Sequence, residues 1–167
     1  MTKLAPPDTH YLSAAVGWVE LGDCSEARAE LAKVSPGFQT HPDVLEAGWL
    51  IEASEQNWKA ALDVARTIIE AAPYRCFGWL HQAYALRRVT DGGLQAAWEA
   101  LLPVAEQFPK EPTVPYNLSC YACQMGQLGD ARKWLRRALD TGDRSGIKLM
   151  ALSDPDLKPL WMEIINW

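Results

Sequence analysis

The sequence predicts an all-α fold of stacked helix pairs, and three observations carry that prediction. Ala27, Ala61, Ala97 and Ala131 hold the same place in a helical pattern and recur at intervals of 34, 36 and 34 residues. A repeat of that length is one helix–turn–helix unit, which buries its apolar face only by stacking on its neighbours. Each alanine opens a stripe at helical spacing: Ala27, Leu31, Val34; Ala61, Ala65, Ile68; Ala97, Leu101, Val104; Ala131, Leu135, Ala138. Proline or glycine punctuates the chain between units, at Ser35-Pro36-Gly37, Pro73 and Pro109.

Taken in order, Asp8 or Thr9 after Pro6-Pro7 caps a helix running to about Leu21, which Gly22-Asp23 stops. Its partner runs from about Ser25 to Val34. The second pair occupies about Asp43 to Ala53 and Trp58 to Ala71, ending at Pro73 because proline has no N–H to give a helix. The third covers about Arg75 to Val89 and Leu94 to Gln107. Its longer turn, Thr90-Asp91-Gly92-Gly93, accounts for the interval of 36, and Pro103 should kink its second helix. The fourth spans about Val114 to Met125 and Leu128 to Leu139. Asp143 to Leu152 reads as a further helix and Ser153-Asp154-Pro155 as a turn. Leu157, Leu160, Trp161, Ile164 and Ile165 then form an amphipathic stripe.

The first helix of each pair sets small residues between large ones: Tyr11, Ala14, Ala15, Trp18; Val44, Ala47, Gly48, Ile51; Trp79, Gln82, Ala83, Leu86; Pro115, Leu118, Ser119, Ala122. Small centres let two helices approach closely while the large residues fill the space around the crossing.

Composition bounds the function. At 167 residues and 49% hydrophobic content the chain buries roughly 70% of its unfolded surface, so it needs neither metal nor disulfide to hold it, and one cooperative domain is expected. A net charge of −5 repels nucleic-acid phosphates over most of the surface. No apolar run follows the opening Met1-Thr2-Lys3-Leu4, so no secretory leader is expected, and no stretch reaches the ~20 apolar residues that span a bilayer. A cytoplasmic protein with reduced thiols is the expectation.

The repeating unit, with an aromatic, a small pair, an alanine opening the second helix and a closing proline, resembles the tetratricopeptide repeat. The resemblance covers about residues 8–143. Its best stretches are Tyr116-Asn117-Leu118-Ser119-Cys120-Tyr121-Ala122 with Gly126 and Asp130-Ala131, then Ala61 to Pro73 and Ala97 to Pro109. Gln82, the early Pro36 and the internal Pro103 depart from the pattern. The resemblance implies a right-handed α-solenoid of about four repeats, approximately 8–41, 42–75, 76–112 and 113–142. Residues 143–167 form a C-terminal cap, all within a single domain over residues 1–167. It also implies action by binding another protein rather than by catalysis.

In such arrays the first helices line the concave side, which here offers Leu12 and Val16, Leu45 and Trp49, Leu80 and Tyr84, and Tyr116, Asn117 and Cys120, with Arg87 and Arg88 at a helix end. An unidentified protein or peptide with an apolar segment, extended or helical, is the implied partner, and Trp49, Tyr84 and Tyr116 are its best contacts. Arg87 and Arg88 suit a carboxylate or the helix dipole. Chaperone-linked members grip an acidic C-terminal tail with lysine, asparagine and arginine. The corresponding residues here are Leu12, Val16, Glu46, Phe77 and His81, or one repeat later Leu45, Trp49, His81, Thr113 and Asn117, so that partner is disfavoured. The terminal stripe Leu157, Leu160, Trp161, Ile164 and Ile165 either caps the last repeat or pairs two copies of the chain into a homo-oligomeric scaffold.

Little else suggests chemistry. Cys120 and Cys123 lie three apart on a helix and could share an ion, but a zinc site wants two more ligands; small cysteines filling tight packing explain them better. Asp154-Pro155-Asp156 reads as a cap, and Arg132, Lys133, Arg136 and Arg137 as a solvated outer face. Phosphate loops, nucleophile elbows and metalloprotease helices are absent from the sequence, so no cofactor and no metal are expected.

Overall fold

The computed structural model describes residues 3–167, and all regular structure among them is helical. Met1 and Thr2, the start of the stretch read for a leader, lie outside the described residues. No helix among those described is long and apolar enough to cross a membrane. Contacts gather into two compact units, residues 1–85 and 86–167.

The first unit contains α1 (Asp8–Glu20), α2 (Cys24–Leu31), a 3-10 turn (Pro36–Phe38), α3 (Pro42–Ser54), α4 (Trp58–Ala71) and α5 (Cys76–Leu86), whose last residue falls in the second unit. α1 packs on α2 and α3, and α3 on α4. Asp23 caps α2 by accepting the Glu26 N–H at 3.0 Å. Pro42 opens α3 where a missing N–H costs nothing. The expected cap at Asp8 or Thr9 is not formed: Pro7 takes that position, and the buried Asp8 carboxylate accepts the backbone N–H of Ser35 at 2.7 Å. It thereby ties the start of α1 to the exit of α2. α2 also stops at Leu31, short of the expected Val34, because the Gln39 amide donates to the carbonyls of Leu31 and Val34 that a longer helix would use. Ala27, Ala61, Ala65 and Ile68 are wholly buried at the helix crossings.

The α1–α2 and α3–α4 turns share one geometry. Gly22 and Gln56 have positive φ, +80° and +60°, and the next N–H reaches back five residues, Asp23 to the Trp18 carbonyl at 2.9 Å and Asn57 to Glu52 at 2.8 Å. Glycine adopts this conformation without strain and glutamine does not.

The second unit holds α6 (Leu94–Leu101), α7 (Val104–Gln107), α8 (Thr113–Gln124), α9 (Leu128–Thr141), α10 (Arg144–Ser153), a 3-10 segment (Pro155–Leu160) and α11 (Trp161–Ile164). The kink expected at Pro103 is a full break between α6 and α7. α5 ends at Leu86 rather than the expected Val89 because the Leu86 carbonyl turns to the Gly93 N–H at 2.9 Å, and a side chain at Gly92 would place its Cβ 2.0 Å from that oxygen. α8 packs along α9 and against α6. Where α8 crosses α9, the buried Ser119 hydroxyl donates to the Ala131 carbonyl at 2.8 Å, and both residues are fully enclosed. The terminal stripe is not the single helix expected: Pro155 and Pro159 impose 3-10 geometry before the short α11. Leu157, Leu160 and Ile164 have no exposed surface, Trp161 donates its indole N–H to the Ala151 carbonyl at 2.9 Å, and Ile165 is exposed.

Candidate interaction site

In the first unit α1 presents Thr9, Leu12, Ser13, Val16 and Gly17 to an open groove of about 780 Å³, which Leu4 also lines. Leu12 also packs against the buried cluster of Leu4, Val34 and Val44, so it forms floor and foundation at once. The charged and titratable residues at this groove are Lys3, Glu20, His41 and Asp43. Asp43 accepts Arg75 at 2.6 Å, and the same guanidinium lies 3.2 Å from Glu46, whose carboxyl burial pushes above its ordinary range against the pull of Arg75. A second arginine, Arg28, is likewise shared, between Glu52 at 2.7 Å and Glu55; hydrogen bonding to it lowers the Glu52 pKa.

A recess of about 350 Å³ lies elsewhere in this unit, lined by Trp49, Leu50, Trp58, His81 and Tyr84 among others. Trp49 forms its floor and is only 3% exposed, in edge contact with Phe77, His81 and Tyr84 at centroid distances of 5.9, 4.1 and 6.0 Å. Its buried indole Nε1 has no hydrogen-bond partner. Trp49 is therefore mainly a packing residue, not the open contact that the sequence suggested, because α5 supplies three rings that enclose it. His81 stacks on Phe77 at 3.8 Å and places Nδ1 2.8 Å from the Phe77 carbonyl; burial lowers its pKa to about 4. Leu45, Leu80 and Tyr84 are partly buried.

In the second unit the corresponding face of α8 is covered by the chain itself. The 3-10 segment lies against α8: the Tyr116 hydroxyl donates to Asp154 at 2.9 Å, Cys120 Sγ stands 3.5 Å from the same carboxylate, and the Gln124 amide donates to the Asp156 carbonyl at 3.0 Å. Arg87 grips the Asp156 carboxylate with both terminal nitrogens, one of them at 2.9 Å. The carboxylate that Arg87 suits thus comes from this chain. Tyr116 and Cys120 are buried under the segment, while Asn117 bonds the Thr113 carbonyl of its own helix at 2.9 Å and Arg88 is partly buried. Nothing local in the sequence announces the Arg87–Asp156 pair, whose members stand 69 residues apart.

No disulfide joins any of the four cysteines. Among the described residues the one cluster of potential metal ligands joins Cys120 to Asp154 and Asp156, not to Cys123, and those carboxylates already hold Tyr116 and Arg87. Burial, reinforced by Asp154 and Asp156, pushes the Cys120 thiol far above its usual range and so disfavours the thiolate. Asp154 caps the 3-10 segment by accepting the Asp156 N–H at 2.9 Å. The cations of α9 are engaged within the chain: Arg132 with Glu163 at 2.7 Å, Lys133 with Asp130 at 3.1 Å, Arg137 with Glu106 at 2.6 Å, and Arg136 over the Trp167 ring.

No protein-family model and no curated protein matches this sequence. The structure is similar to the crystal structure of a thermophilic tetratricopeptide-repeat protein from Thermus thermophilus, with a TM-score of 0.74 at 17% identity, over 94% of this chain and 82% of that one. With its helix pairs, small-residue crossings and recurrent turns, the chain is tetratricopeptide-like in fold.

Proposed function

We propose that the chain is a non-catalytic protein-interaction module whose first unit receives an apolar segment of another protein at Leu12 and Val16. The supporting observation is the groove of about 780 Å³ at these two positions of α1, where apolar side chains stay open to a ligand. On α8 the equivalent positions hold the chain's own segment, so Tyr116, Cys120 and Arg87 are not part of this reading. Leu45, next in the stripe on α3, extends the binding surface, while Trp49, enclosed by the rings of α5, takes no part in it. Fold alone does not name a function, and the reading rests on this groove.

The test is site-specific photo-crosslinking in lysate of the source cells. A photoreactive residue at Ser13, exposed at the groove, should capture a protein that one at Arg66 on α4 does not. Capture should be lost when Leu12→Asn and Val16→Asn are combined in a chain that keeps its helical circular dichroism. Equal capture from both positions, or capture only of further copies of the chain, would overturn the reading.

A further inference from the structure

We infer that the segment received by the first unit carries lysine or arginine beside its apolar anchors; this rests on the module reading above and specifies its ligand. Charge is unevenly divided along the chain. Residues 1–85 hold six lysines and arginines against 11 carboxylates, and residues 86–167 hold ten against ten. The whole formal charge of −5 thus belongs to the unit that carries the open groove.

The excess is built into the ion pairs of that unit. Arg75 serves both Asp43 and Glu46, and Arg28 serves both Glu52 and Glu55, so each cluster keeps one negative charge in formal count. Glu20, exposed at the groove, takes part in no ion pair among the described residues. Lys3 is the one permanent cation among the groove's lining residues. A field of this sign acts over about 10 Å at moderate salt, enough to attract cationic flanks while apolar side chains settle on Leu12 and Val16. The second unit supplies the contrast: where this fold seats carboxylates, at Asp154 and Asp156, it provides Arg87, a tyrosine hydroxyl and an amide. The groove of the first unit offers no such set.

The experiment titrates the full chain calorimetrically with two synthetic amphipathic helical peptides about 18 residues long, sharing a leucine face and differing in lysine or glutamate on the other. The leucine–lysine peptide should bind one to one, and the leucine–glutamate peptide at least about tenfold more weakly. Raising salt from about 50 to about 300 mM should weaken the former roughly fivefold or more. Glu20→Lys should weaken it about threefold, and Leu12→Asn with Val16→Asn about tenfold or more. Equal binding of both peptides, each dependent on Leu12 and Val16, overturns the charge preference and leaves the module standing. Binding of the lysine peptide that ignores Leu12 and Val16 is surface attraction alone and overturns the groove as its site. Dimerisation of the chain lost in the Leu12, Val16 variant assigns the groove to a second copy and likewise overturns the inference.

Discussion

His81 lies between the Phe77 ring and the Trp49 indole, with its Nδ1 proton committed to the Phe77 carbonyl. Burial lowers its pKa from 6.5 to about 4, so the folded chain refuses a proton that the unfolded chain accepts. Stability from this residue is therefore intact above pH 6.5, falls as pH drops toward 4 and then levels off, for a total of about 3 kcal/mol. Chemical denaturation of wild type and His81→Gln across that window should show a steeper acid loss in wild type; parallel curves would refute it. Trp49→Ala should cost about 3 to 5 kcal/mol, since the indole is almost wholly enclosed, and a near-unchanged melting temperature would show the ring to be peripheral. Helical spacing put Trp49 on one face of α3 with Leu45 but did not show how deeply it is enclosed. Its depth depends on Phe77, His81 and Tyr84 of another helix, which no local period encodes.

At the scale of elements, the α1–α2, α3–α4 and α8–α9 turns are one design used three times. Gly22 and Gly126 occupy its positive-φ position, and Gln56 occupies it in the α3–α4 turn with φ +60°. Gln56→Gly should relieve local strain and raise stability by up to about 1 kcal/mol, the gain being reduced by the greater freedom of glycine in the unfolded chain. Thermal melting checks the sign: a lowered midpoint would mean that the Gln56 side chain contributes more than its backbone costs. Helix identities were legible from period and punctuation, and α4 begins and ends where its sequence predicts. Ends set by remote groups were not legible. Gln39 draws off the carbonyls after α2, Gly93 takes that of Leu86, and two prolines turn the expected last helix into 3-10 segment and short α11. The segment over α8 belongs with these: Asp154 was readable as a cap, but its bond to Tyr116 and the grip of Arg87 on Asp156 join distant parts of the chain.

For the whole molecule, the terminal residues bear most on integrity. Leu157, Leu160 and Ile164 are completely buried in the second unit, and each such side chain is worth about 1.5 to 3 kcal/mol. A chain ending at Asp154 should lose roughly 5 kcal/mol or aggregate, and an unchanged melting curve would show that these residues are dispensable to the fold. The division of charge between the units belongs to this scale too, since composition gives only the total while the contacts show which unit carries the excess. Ala27, Ala61, Ala97 and Ala131 have no exposed surface at all, so what the architecture demands at these places is the absence of bulk. Smallness is a weak signature letter by letter, because many neighbouring residues can vary so long as the spacing of the narrow points is kept. That is how a chain can share 17% identity with a thermophilic repeat protein and still align with it at a TM-score of 0.74. The architecture is recorded as rhythm and volume, and proteins of this kind are better found by the distances between their smallest residues than by spelling.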